Sequence, residues 1–90
     1  MAQTRYIHCK ILPGLFKTEL YVSVLGSSVY VDRSAVQILR EPEGNQEGEG
    51  LILGYLIEEG TGDQALVELT GEAVVGGLRT WVPKTALAAA

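Results

Sequence analysis

Apolar and polar side chains alternate along this chain with a period of two, and no stretch carries the three-to-four spacing of an amphipathic helix. In residues 6–11, Ile7, Cys9 and Ile11 point one way and Tyr6, His8 and Lys10 the other. Leu20, Val22 and Val24 form a second inner row with Tyr21 and Ser23 outside. A turn at Gly26-Ser27 pairs Val24 with Val29 and Val22 with Val31, and sets Ser23 against Tyr30 and Tyr21 against Asp32. Residues 51–58, 65–69 and 79–82 read as further strands, 32–36 as a 3₁₀-like turn, and 36–39 as a short added strand. The expectation is an all-β fold, a small barrel or rolled antiparallel sheet of about six strands. Ile7, Ile11, Val22, Val24, Val29, Val31, Leu53, Ile57, Val67, Leu69 and Val82 should face inward.

The pattern is stated twice. Tyr30-Val31-Asp32-Arg33-Ser34-Ala35-Val36 returns as Trp81-Val82-Pro83-Lys84-Thr85-Ala86-Leu87, and Tyr21-Val22-Ser23-Val24-Leu25-Gly26 resembles Leu66-Val67-Glu68-Leu69-Thr70-Gly71. The offsets differ, which implies a longer loop in the second copy. Two βββ pseudo-repeats, 6–36 and 51–87, would then be joined by the acidic, glycine-rich loop 41–50 within one domain. The alternative is chance alignment of short strands between glycine turns. Residues 70–78 read either as an extra strand at 73–75 with a tight turn at Gly76-Gly77, or as one flexible loop. Leu87 to Ala90 reads as a frayed tail.

Ninety residues make one core at most. A hydrophobic share of 47% is enough to fill that core and leave apolar surface for a partner. Residues 1–40 carry five Lys and Arg against two carboxylates, a net +3, and residues 41–90 two against nine, a net −7. Such a dipole favours self-association if the halves form different faces, unless the acidic loop is merely solvated. A lone cysteine excludes an internal disulfide, the start offers no export signal, and the longest apolar run, 51–57, is strand-sized. These point to a cytoplasmic protein that does not enter a membrane.

Chemistry is sparse. His8 and Cys9 are neighbours on a strand and face opposite sides, so they cannot share a metal. His8 is the single imidazole, and no spacing sets it against a nucleophile; Ser23 merely shares its polar side. Gly60-Thr61-Gly62-Asp63 lacks the lysine and following helix of a phosphate loop, and Glu41, Glu43, Glu47 and Glu49 lack the ligand order of a calcium loop. The expectation is no catalytic residue, no cofactor and no metal.

Trp81-Val82-Pro83-Lys84-Thr85-Ala86-Leu87, preceded by strands 65–69 and 79–82, resembles the aromatic-aliphatic-proline and 3₁₀ ending of SH3-like small barrels over the last third of the chain. In peptide-binding SH3 domains that proline lines the groove, and Pro83 matches it. The tyrosine three residues later is Ala86 here, and the Ala-Leu-Tyr-Asp-Tyr motif and paired tryptophans are absent. The resemblance thus implies the barrel rather than the proline-peptide groove.

What remains is an outer aromatic surface. Tyr21 and Tyr30, as diagonal neighbours, and Trp81, opposite Glu68, lie on the polar face, with Arg33 and Lys84 at its edge. A flat ring beside a mobile cation suits recognition of a protein partner or a second copy. Nucleic acid is the alternative, disfavoured by a net charge of −4, and a small enzyme the more remote one. Val22→Asp should unfold the chain by burying an unpaired charge, whereas Tyr21→Asp should cost about 1 kcal/mol or less; urea titration of both variants decides the assignment of faces.

Overall fold

The computed structural model describes residues 3–89. It is all-β: β1 (Gln3–Pro13), β2 (Glu19–Val24), β3 (Ser27–Asp32), β4 (Val36–Arg40), β5 (Gly48–Glu59), β6 (Gln64–Leu69), β7 (Glu72–Val75), β8 (Arg79–Pro83) and β9 (Leu87–Ala89). Two 3₁₀ turns, η1 (Arg33–Ala35) and η2 (Lys84–Ala86), lead into β4 and β9. The strands form one curled antiparallel sheet with the path β7-β3-β2-β1-β5-β6-β8, to which β4 is added on β5 and β9 on β1.

β1 and β5 are the long central pair, in register from Gln3↔Leu56 to Ile11↔Gly48. Each uses its other edge twice. Arg5 to Ile7 of β1 pair with β9 and Lys10 to Pro13 with β2; Glu49 to Ile52 of β5 pair with β4 and Gly54 to Glu59 with β6. The two halves therefore have matching connections. Tyr21↔Tyr30 corresponds to Leu66↔Trp81, Ile52↔Val36 to Ile7↔Leu87, and the bond from Arg33 N to Thr18 O (2.8 Å) to that from Lys84 N to Asp63 O (2.5 Å). Ile7 and Ile52, which correspond in this scheme, are each other's partners and both fully buried.

The β2–β3 register differs from the sequence expectation by two residues: Val22 meets Val29, Leu20 meets Val31, and Val24 meets Ser27. The turn is the two-residue Leu25-Gly26, with Leu25 at φ 47, rather than Gly26-Ser27. A slip of two preserves every face, because the pleat repeats every two residues, so the valines remain inside. Ser27 is buried in β3, with its hydroxyl 3.4 Å from the Gly76 carbonyl.

In β5 the phase itself is reversed. Ile52 is fully buried, whereas Leu53 and Ile57 are only half-buried. The run Leu51-Ile52-Leu53-Gly54-Tyr55-Leu56-Ile57 has no polar residue to mark its outer side, and a register shift between Leu56 and Glu58 alters the phase again. Gly48, Glu49 and Gly50 belong to this strand, and Glu43 bridges Gln46, so the loop between the halves is shorter than 41–50. A Cβ on Gly50 would approach Val36 to 2.9 Å, so close strand packing selects glycine there. Leu87–Ala89 of the expected tail form β9, paired with β1, while Ala90 lies outside the described residues; in the ambiguous segment Glu72–Val75 form β7, paired with β3 rather than with the adjacent β8.

The core joins Ile7, Ile11, Leu20, Val22, Val29, Ile52, Val67, Leu69 and Val82 in one cluster. Ile52→Ala should cost about 2–5 kcal/mol by the cavity it opens, against about 1 kcal/mol or so for Leu53→Ala, as read from denaturant midpoints; the reverse order would show that the phase of β5 is wrong.

Candidate functional site

The pleat and the two 3₁₀ turns set out the aromatic residues in two groups. In the first, Tyr21 and Tyr30 are directly opposite rather than diagonal, half-buried, and meet edge-to-face with ring centroids 5.2 Å apart. Asp32 caps η1 by accepting from Ser34 N at 2.9 Å, and that bond holds its carboxyl below the usual aspartate range. Arg33 of η1 is held by both carboxylate oxygens of Glu41, at 3.1 and 3.0 Å.

In the second group Trp81 lies on β8 opposite Leu66, not Glu68, which pairs instead with Arg79 through a 2.9 Å ion pair. The indole is 45% exposed and lies against Gly60, where a Cβ would come within 2.6 Å of the ring. Lys84 follows in η2, whose cap position is Pro83 and has no side-chain bond. Between the groups the sheet path interposes β1, β5 and β6. Tyr21, Tyr30 and Arg33 thus belong to the first half, and Trp81 and Lys84 to the second.

A cleft of about 340 Å³ opens where β1 changes neighbour. On that edge His8 and Cys9 fall between the ladder to β9, which ends at Ile7, and the ladder to β2, which begins at Lys10. Val24, Val82, Pro83 and Ala86 supply apolar walls, and His8, Lys10, Ser23 and Glu49 the polar rim. The corresponding place in the second half is closed: β6 keeps its pairing to Gly54↔Leu69, and the Thr70 hydroxyl donates to the Leu53 carbonyl at 2.9 Å. Leu25 stands where Thr70 would, has no donor, and is 70% exposed. Sequence reasoning missed this cleft, although the Leu25/Thr70 mismatch within the aligned repeats is its one legible sign.

Electrostatically the rim is internally satisfied. Glu49 receives Lys10 at 2.7 Å and has Arg40 at 3.7 Å, and its carboxyl is lowered chiefly by the Lys10 hydrogen bond. Ser23 and Ser28 hydroxyls stand 3.4 Å apart, and among the described residues no side-chain hydrogen bond joins His8 to Ser23. No group of three or more His, Cys, Asp or Glu among the described residues is placed to hold a metal. Among the described residues no helix is long and apolar enough to cross a membrane. No family model, curated protein or solved structure matches the chain.

Cys9 is the floor of the cleft and is buried. Burial pushes its thiol up to about 11, with hydrogen bonds to the Ile52 and Gly50 backbone pulling it partly back. A thiol so raised is protonated at neutral pH and a poor nucleophile. Because the unfolded thiol ionises first, its contribution is intact below pH 9.0 and is lost as pH rises toward 11. Wild type should therefore lose up to about 3 kcal/mol more than Cys9→Ala across that range in urea titrations; parallel pH profiles would show that the thiol is not held neutral.

Proposed function

We propose that this chain is a non-enzymatic interaction module with an SH3-like small-barrel architecture, which binds a protein partner or a second copy of itself. The observation that carries the reading is Trp81: a large ring 45% exposed on β8, a strand at the end of the sheet path. Exposed aromatic area on a strand at the end of the sheet has no role in the core, and such residues dominate the energetics of protein interfaces. The SH3-like assignment is supported by the meander β1-β2-β3, its 3₁₀ turn and returning strand, and by the Trp81-Val82-Pro83 ending that leads into η2. The buried free thiol of Cys9 is consistent with a reducing, cytoplasmic setting.

Trp81 is the stronger anchor of the two groups. Tyr21 and Tyr30 already stack on each other, and Arg33 is committed to Glu41, so the first group has less to offer a partner. Nucleic acid is less favoured: Lys10, Arg33, Arg40 and Arg79 all sit in ion pairs, and the net charge is −4.

Separate Trp81→Ser and Tyr30→Ser variants test the reading by solution mass, recovery of the co-purifying partner and thermal melting. Trp81→Ser should abolish association with a change in Tm of at most about 4 °C, whereas Tyr30→Ser should cost about 1–2 kcal/mol with association retained. Unchanged association in Trp81→Ser, or its outright unfolding, would remove the indole from any interface.

A further inference from the structure

Strand β3 has a neighbour on each side, β2 and β7, whereas its counterpart β8 pairs only with β6 among the described residues. The free side of β8 presents unused backbone groups. Leu78 O accepts from Leu69 N at 2.7 Å and Lys84 N donates to Asp63 O at 2.5 Å, so the residues in phase with Leu78 and Lys84 turn toward β6. By alternation Arg79 and Trp81 turn their N–H and C=O groups outward. Their counterparts on β3, Ser28 and Tyr30, meet Val75 and Glu72 of β7.

β7 thus shows what an edge of this shape receives. It is a short antiparallel strand whose four side chains are all exposed, so its hold on β3 is mainly through backbone. Gly71 lets it approach closely, since a Cβ there would collide with the Tyr30 carbonyl. Its sequence is Glu72-Ala73-Val74-Val75, with the acid opposite Tyr30. On the β8 side the position of Tyr30 is held by Trp81, and Lys84 makes no ion pair among the described residues, whereas its counterpart Arg33 is neutralised by Glu41.

We propose that the free edge of β8 receives an extended acidic-apolar segment of a partner protein as an added antiparallel strand, its backbone bonded to Arg79 and Trp81 and its acid near Lys84. This rests on the interaction-module reading and specifies its partner. Strand addition draws affinity from main-chain bonds and selectivity from alternate side chains. A second copy docking β8 against β8 fits less well, because Pro83 ends the strand without an N–H on both copies and Arg79–Pro83 contain no acid to meet Lys84.

The probe is the blocked peptide Thr-Gly-Glu-Ala-Val-Val-Gly-Gly, the chain's own residues 70–77, titrated into the full chain with amide exchange followed by NMR. The Arg79 and Trp81 amides should slow by at least about tenfold at saturation, while Ser28 and Tyr30 stay protected, because tethered β7 outcompetes free peptide there. Replacing the peptide's Glu by Lys, or Lys84→Glu in the protein, should weaken binding by about threefold to tenfold. Arg79→Pro, which removes an outward N–H, should abolish binding; Lys84→Glu serves if that variant fails to fold. No protection of Arg79 and Trp81 at millimolar peptide overturns the proposal. So does a dimer in which those amides are already protected without peptide. If the edge stays unprotected yet Trp81→Ser still abolishes association, strand addition fails and the interaction module stands.

Discussion

The rest of the structure depends on the pairing of β1 with β5. This ladder runs from Gln3↔Leu56 to Ile11↔Gly48 and brings together residues far apart in sequence. Long-range pairing of this kind requires loop closure before any contact repays it, so it is held by what packs at its centre. Ile7 against Ile52 is that centre: both are fully buried, and each half hangs its meander from its own member and adds its returning strand to the other's. Removing the long strand of either half would deprive the other of a neighbour, since β4 pairs with β5 and β9 with β1.

Shared long strands also explain where surface features arise. A strand that hands its edge from one neighbour to the next must pass through a position where neither ladder is complete. In β5 that position is closed by the Thr70 hydroxyl on the Leu53 carbonyl. In β1 the β2–β3 hairpin departs after Lys10↔Ser23, and the cleft floored by Cys9 results. The second difference between the halves is β7, which arises in the second half but covers β3 in the first. One chain segment therefore protects one edge and leaves its counterpart free. Exposed edges carrying apolar side chains are a liability that folded proteins usually cover, which gives the Trp81 edge of β8 its interest.

Among the described residues the charged groups around the cleft are paired with one another. The cations near the cleft are spent on Glu49, the thiol is held protonated, and His8 has no side-chain hydrogen bond to Ser23. What is left over is backbone hydrogen-bonding capacity on β8, an exposed indole and Lys84 without an ion pair among the described residues.

The sequence by itself determined the all-β class, the inward valines of β2 and β3, and the 3₁₀ turn that Asp32 caps. Each rests on local alternation or on residues that cap a turn, and neither depends on distant neighbours. Tertiary structure decided the rest. The phase of β5 was illegible because an unbroken apolar run has no outer side until β1 covers one face, so Ile52 rather than Leu53 went inward. The exact β2–β3 register was illegible because a slip of two residues changes no face, and only the two-residue turn at Leu25-Gly26 selects it. Alternation told which side of a strand Tyr21, Tyr30 and Trp81 take, but not where those strands sit in the sheet. Pairing of β1 with β5, a contact that no local pattern encodes, set β1, β5 and β6 between the tyrosine strands and β8 along the sheet path.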